Sequence, residues 1–401
     1  MEYRPIRKEE RARLNELQAM SFFFPIDRKE QAERLEKDDT LWRSGWAAID
    51  EQGHMHAGME LIPFDVWFDG HSVGMGGIGG VASLVEDRRG GNIRKLFEAI
   101  MDTMWERGDV FSYLYPFSHE YYRKFGYEIC NATYKIKAPI TPLLAYSRPG
   151  RVEMFVPGED GTDPGPIVEL YNEFASRHNL AVDREGWRWR GVLEHDPINA
   201  NRRTYVWYDE SDKPVAYCIL TFPKPLEGNR TDVVLQEAAW LDRESLYALL
   251  GFVGRYSGNL KTLVWAMPQS VSPELFWPEP WEVQVERNFT GMNRVVNVQK
   301  ALELLRKPAG SGAVRIAVND TFLPRNTGIY EVAWQDGEGE VKRVEGGAAD
   351  LECPVHALAQ LVTGFLPFGQ IALRQDVTVR DKAADLNRLF PKKDLYLPDY
   401  F

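Results

Sequence analysis

The sequence predicts a mixed α/β (α+β) protein of three units, at residues 1–135, 136–290 and 291–401. Three observations carry this. Helical and strand-like periodicities alternate through residues 1–135. Loops rich in proline and glycine, SRPG (147–150), PGEDGTDPGP (157–166) and PEPW (278–281), divide the rest. Residues 291–401 then change to a short α+β pattern. The length of 401 residues agrees with two to three domains, and a hydrophobic content of 44% is enough for buried cores.

In the first unit, KEERARLNELQAMSF reads as an amphipathic helix with Leu14, Leu17 and Met20 on one side. GWAAID, HAGMELIPFDVWF and HSVGMGGIGGVASLV follow as strands, joined at Glu51-Gln52-Gly53 and at Asp69-Gly70. Asp-Gly favours a type I′ hairpin turn, so the three strands form an antiparallel meander. NIRKLFEAIMDTMWERG is the next helix, with Ile93, Leu96, Phe97, Ile100, Met101 and Met104 at helical spacing and Gly108 at its stop. VFSYLYPFS is a strand ended by proline, and YYRKFGYEIC a short helix turning into a strand.

The second unit repeats this order. GPIVELYNEFASRHN and RESLYALLGFVGRY are helix-like, and RTYVWYD and PVAYCILTF strand-like. The third unit holds the strand and helix MNRVVNVQKALELL, a flexible link KPAGSG, and strands VRIAVND, GIYEVAW and EVKRVEGG around QDGEGE. CPVHALAQLVTGFL is a helix with Val355, Leu358, Leu361 and Val362 on one face.

The net charge of −11 argues against nucleic-acid and anionic-membrane partners, which need a basic footprint, and is compatible with cationic small molecules. Cys130, Cys218 and Cys353 are far apart and odd in number, so neither a disulfide framework nor a zinc pattern follows. His54-Met55-His56 has no further ligand nearby, and no metal site is expected. The charged start has no signal-like apolar stretch, and no apolar run reads as a membrane span, so a cytoplasmic location is expected.

The stretch that carries chemistry is GGVASLVEDRRGGNIRKLF, residues 79–97. A strand (Val81, Ala82, Ser83) ends, a loop carries Arg88, Arg89, Gly90 and Gly91, and a helix opens at Asn92 and Ile93. Glycines let the backbone approach a ligand, free N–H groups at the helix start point outward, and two arginines suit phosphate oxygens. Together they read as a pyrophosphate cradle. No Gly-Lys-Ser/Thr follows, so it is not a Walker A loop; a meander rather than a βαβ unit precedes it, so it is not a dinucleotide fingerprint.

Meander, strand, Arg-x-x-Gly and helix resemble the layout of the GNAT N-acetyltransferases, although Ile93 stands where their usual pattern has a small residue. PFSHEYYRKFGYE, VASLVEDRRGG, VNDTFLPRNTGIYEV and the terminal Phe401 together resemble the Eis (enhanced intracellular survival) family of GNAT enzymes along the whole chain. The resemblance implies two tandem GNAT-like domains, the second degenerate, and a C-terminal sterol-carrier-like domain. It implies acetyl-CoA as acyl donor, held by Val81–Ser83, by Arg88–Ile93 and by Ser118, and no metal. Tyr122 matches the family's general acid and the terminal carboxylate of Phe401 its general base. Trp42 matches a pocket tryptophan, with Asp399 and Tyr400 at the pocket rim. A homo-oligomer, typically a hexamer, is implied by the resemblance alone.

The expected function is N-acetyl transfer from acetyl-CoA to a primary amine of a cationic acceptor (an aminoglycoside-like aminosugar, a polyamine or lysine) by direct attack on the thioester. The alternative is a non-enzymatic apolar-ligand or acyl-CoA-binding protein on the same scaffold. His119, beside Tyr122, is a further base candidate, although a loop histidine is more often solvated.

Overall fold

The computed structural model describes residues 1–38, 40–158, 161–222 and 232–401. The first unit contains β1 (Glu2–Pro5), α1 (Arg11–Phe22), α2 (Arg28–Lys37), β2 (Gly45–Ile49), β3 (Met55–Phe68), β4 (His71–Ser83), α3 (Asn92–Arg107), β5 (Phe111–Leu114), α4 (His119–Arg123) and β6 (Glu128–Pro139). The second contains β7 (Arg151–Phe155), α5 (Gly165–Ala175), β8 (Val182–Asp183), α6 (Gly186–Leu193), β9 (Arg202–Tyr208), β10 (Pro214–Thr221), β11 (Asp232–Trp240), α7 (Arg243–Gly254), β12 (Thr262–Pro268) and β13 (Gln284–Val295). The third contains α8 (Val298–Leu304), β14 (Ser311–Asn319), β15 (Gly328–Gln335), β16 (Glu338–Val344), β17 (Leu351–Pro354), α9 (Val355–Thr363), α10 (Phe368–Ile371), β18 (Thr378–Val379) and α11 (Ala383–Leu389).

The first two units share one sheet, in the order β1-β2-β3-β4-β5-β13-β6-β12-β11-β10-β9-β7, with β8 on β3. The third unit has its own sheet, β16-β15-β14-β17-β18. β13 inserts between β5 and β6, pairing Met292–Val295 with Phe111–Leu114 and Gln284–Asn293 with Glu128–Lys137. β6 also pairs with β12. Residues 135 and 290, where the sequence places the unit boundaries, therefore lie inside strands that stitch the units together.

The meander forms as its turn chemistry dictates: Asp69 and Gly70 both have positive φ, 49° and 90°, the signature of a type I′ turn. α3 buries Leu96, Phe97, Ile100, Met101 and Met104 and stops at Gly108 (φ 81°). On α1, Leu14 and Leu17 are buried, but Met20 is exposed. KPAGSG is no free link: Lys307 is buried, its amine bound to the carbonyls of Leu302, Glu303 and Leu305 at the end of α8. Trp277 packs at a junction, donating its indole N–H to Pro139 O at 2.8 Å.

The third unit does not stand apart. Its α9 buries a face against β13 and β6, and Phe64, Val66 and Phe68 of β3 join the same apolar core. Asp320 holds Arg294 of β13 from the other side and is itself braced by the Asn326 amide at 3.0 Å: Arg294 is fully buried, with Asp320 at 2.5 Å.

Candidate active site

The site begins where two strands part. β4 pairs with parallel β5 only over Met75–Ile78 against Phe111–Leu114, yet runs on to Ser83 paired with β3. Beyond Ile78 the β5-facing edge of β4 is open, and its backbone groups can serve a ligand. Gln18 braces the bend, donating to Gly80 O and to Glu60, both at 3.2 Å. Arg11 (2.7 Å) and Ser44 (2.5 Å) complete the bonds to Glu60, so its buried carboxylate is fully occupied.

β4 leads into the arginine-glycine loop. Arg88, Arg89, Gly90 and Gly91 are exposed, and Gly91 sits at the N-terminus of α3 with φ 84°, where a side chain would be strained. α3 has sixteen residues, so its free N-terminal N–H groups and dipole face this loop. Asn92 accepts from the Tyr3 hydroxyl at 3.2 Å. Val81 and Ile93 are half-buried against the core under α3, and Ala82 is buried beside Trp42. The backbone of Val81–Ser83 and the loop suit a pyrophosphate and its extended arm; the Ile93 side chain belongs to packing. The loop root is pinned by His56, which bonds Asp87 at 2.8 Å through Nδ1 and Asp50 at 3.1 Å through Nε2. These carboxylates, Asp50 first, raise the imidazole above its ordinary value.

Tyr122 lies on α4, just past the carboxyl end of β5. Ser118 caps that helix, accepting from the Tyr121 N–H at 3.3 Å; this is the place the structure gives Ser118. The Tyr122 ring is buried among Phe117, Tyr121, Tyr127 and Phe97, with centroids 5.2–6.3 Å away. Burial pushes its phenol well above the ordinary tyrosine value, so it keeps its proton.

The tail arrives at the same end of β5. The Phe401 ring packs at a tilt of 46° on Phe64 of β3 (centroids 4.3 Å) and meets Tyr115 (5.3 Å) and Tyr113 (6.1 Å). It lies on β4 so closely that a Cβ at Gly77 would sit 2.6 Å from the ring. Tyr400 is 80% exposed and leans on Tyr115 at 4.4 Å, and the Tyr115 hydroxyl donates to the Asp399 carbonyl. Asp399 turns inward: its carboxylate takes two bonds from buried Arg184, which also grips Glu237 of β11 and stacks on Tyr171 at 4.1 Å. Upstream, Tyr396 and Leu397 are buried, and Asn179 bonds the chain at Asp394 O and the Tyr396 N–H.

Thus Tyr122 and Phe401 come to one end of β5, through Phe117 on one side and Tyr115 on the other. Trp42 packs on the α1 side of the sheet; its indole N–H is buried without a hydrogen-bond partner among the described residues. Sequence reasoning missed Arg184, Glu237, Tyr115 and Phe64, and weighed His56 only as a metal ligand. Only the aromatic run YLYPF offered a signal; the rest depend on contacts between distant segments.

The comparisons agree with this architecture. Residues 2–130 match an acetyltransferase (GNAT) domain family, residues 180–295 a second acetyltransferase (GNAT) domain family, and residues 298–398 a sterol carrier protein domain. No curated protein sequence matches the chain significantly. Among solved structures, a GCN5-related N-acetyltransferase from Anabaena variabilis is 22% identical, each chain covered over 100%, with a TM-score of 0.85. A conserved protein of Enterococcus faecalis described as a probable N-acyltransferase is 22% identical over 100% of this chain and 99% of its own, TM-score 0.83. Eis1 from Mycobacterium abscessus is 18% identical over 100% of both chains, TM-score 0.79. At these identities the structural likenesses show the fold, and the domain matches show the class: a GNAT acetyltransferase. Two GNAT domains are followed by a sterol carrier domain, and the chain shares its fold with Eis1 from Mycobacterium abscessus. GNAT acetyltransferases use acetyl-CoA. Among the described residues, no helix is long and apolar enough to cross a membrane.

Proposed function

We propose that the protein transfers the acetyl group of acetyl-CoA to a primary amine of a cationic acceptor, with Tyr122 as general acid and the terminal carboxylate of Phe401 as general base. The parting of β4 from β5 beside the Arg88–Gly91 loop, with Tyr122 and the tail at its mouth, carries this reading. The loop and the α3 N-terminus hold the pyrophosphate, and the open edge of β4 receives the pantetheine arm and polarises the thioester carbonyl. The amine attacks directly. A protonated amine cannot attack, so a base must take its proton, directly or through water. The tetrahedral intermediate then expels a thiolate, which Tyr122 protonates.

A cavity of about 340 Å³ beside Phe64, which the Phe401 ring meets, is lined by both signs of charge: Asp65, Asp109, Asp183 and Glu185 face Arg107, Arg188 and Lys300. The cationic class of the acceptor therefore rests on the family resemblance and not on this lining. The test is thiol release from acetyl-CoA with a panel of aminosugars, spermidine and lysine peptides. Turnover on cationic amines supports the reading; none on any amine, with tight acyl-CoA or lipid binding, would favour the binding-protein alternative.

A further inference from the structure

A second cleft, of about 380 Å³, lies where all three units meet at the root of the tail. Its wall comes from the β3–β4 turn, the end of α5, the segment after α8, the end of α11 and residues 391–394. Six basic side chains line it: Arg177, Arg306, Lys307, Arg388, Lys392 and Lys393. Against them stand two carboxylates, Asp69 and Asp394. The lining thus has four excess positive charges, in a chain whose net charge is −11.

Two of the six are neutralised from outside the lining, Arg177 by Glu173 and Arg388 by Asp385 at 3.2 Å, so the free positive charge lies with the others. Asp69 is spent on Lys393, at 2.6 Å, and on the Arg306 backbone N–H, at 2.8 Å. Lys307 is fixed by three backbone carbonyls and has no ion-pair partner among the described residues. Burial lowers the amines of Lys307 and Lys393 below the ordinary lysine value. Arg306 and Lys392 are exposed and have no ion-pair partner among the described residues. A concave wall of one sign, with low-dielectric protein behind it, concentrates counter-ions.

We infer that this cleft binds a multiply charged phosphate-type anion, with Arg306 and Lys392 as its free arms. The volume is that of roughly a dozen waters at about 30 Å³ each, room for a di- or triphosphate. Lys393 and Asp394 lead straight into the tail, so a bound anion would tie the three units together at the point from which the tail departs.

The experiment is calorimetric titration of the full chain with inorganic pyrophosphate at fixed ionic strength, in saturating CoA so that the Arg88–Gly91 loop is already filled. Saturable one-to-one binding is expected, weakened at least tenfold in Arg306→Ala/Lys392→Ala and unchanged in Arg88→Ala/Arg89→Ala. Both cleft substitutions are at exposed positions, and a melting curve without pyrophosphate verifies the fold; Lys392→Glu alone should also weaken binding. Titration with ATP separates the sources: tighter binding than pyrophosphate supports a nucleotide, equal binding a free polyphosphate. No saturable binding, binding that survives the cleft substitutions, or loss only in the Arg88/Arg89 variant overturns the inference.

Discussion

Arg184 donates to both oxygens of Asp399, Nε at 2.9 Å and Nη2 at 3.1 Å, and with the same guanidinium holds Glu237 at 2.8 and 2.6 Å. One buried cation thus fastens the tail of the third unit to β11 of the second, two residues before Phe401. The Arg184 side chain is 1% exposed, so its removal strands two buried carboxylates. Arg184→Ala should lower stability by about 3–5 kcal/mol, read by thermal or denaturant unfolding. Asp399→Asn keeps one acceptor and should cost less, while reducing kcat. A tail that works as well without the latch as with it would contradict this.

These contacts mark the limit of the sequence. The helix of α3, the Asp69-Gly70 turn and the loop glycines were legible because each depends on residues close in the chain. Arg184 and Asp399 are 215 positions apart, and nothing local distinguishes Arg184 from a solvated arginine. The insertion of β13 between β5 and β6 was hidden for the same reason: strand periodicity reveals a strand, not its partners. Asp399 and Tyr400 were expected together at a pocket rim. Alternation along the extended tail turns one inward to Arg184 and the other out to solvent.

Tyr122→Phe should reduce kcat on the order of 10²–10⁴-fold, the usual worth of a positioned acid, with little change in acetyl-CoA affinity. The ring packing survives because only the hydroxyl is lost. Steady-state kinetics with a single good amine would show it, and an unchanged kcat would remove Tyr122 from the mechanism.

Arg88 and Arg89 are exposed, and neither side chain has a hydrogen bond or ion pair among the described residues. Charge-assisted hydrogen bonds contribute about 1.5–3 kcal/mol each. Each alanine substitution should therefore weaken acetyl-CoA binding roughly tenfold or more, with a shallower salt dependence and an unchanged melting temperature. Titration calorimetry at two ionic strengths checks both.

His56 ties the loop root to β3 through Asp87, and its imidazole is raised above the ordinary value by Asp50 and Asp87. The raised group stabilises the fold fully below the unfolded histidine value of about 6.5, and this is lost as the pH rises through the folded value. Acetyl-CoA affinity should therefore fall as the pH is raised from about 6 to 9. His56→Ala should bind more weakly at the low end and lose most of that slope. An unchanged slope would assign the pH dependence elsewhere.

The central claim is that the base is the carboxylate of Phe401, delivered by the anchored tail to the mouth between β4 and β5. The direct measurement compares turnover and acetyl-CoA binding in the chain ending at Phe401 and in one extended by a short Gly-Ser segment. The extension moves the carboxylate without altering the side chains that anchor the tail. The account predicts that turnover is abolished while acetyl-CoA binding is largely intact; an extended protein that turns over at the normal rate would contradict it.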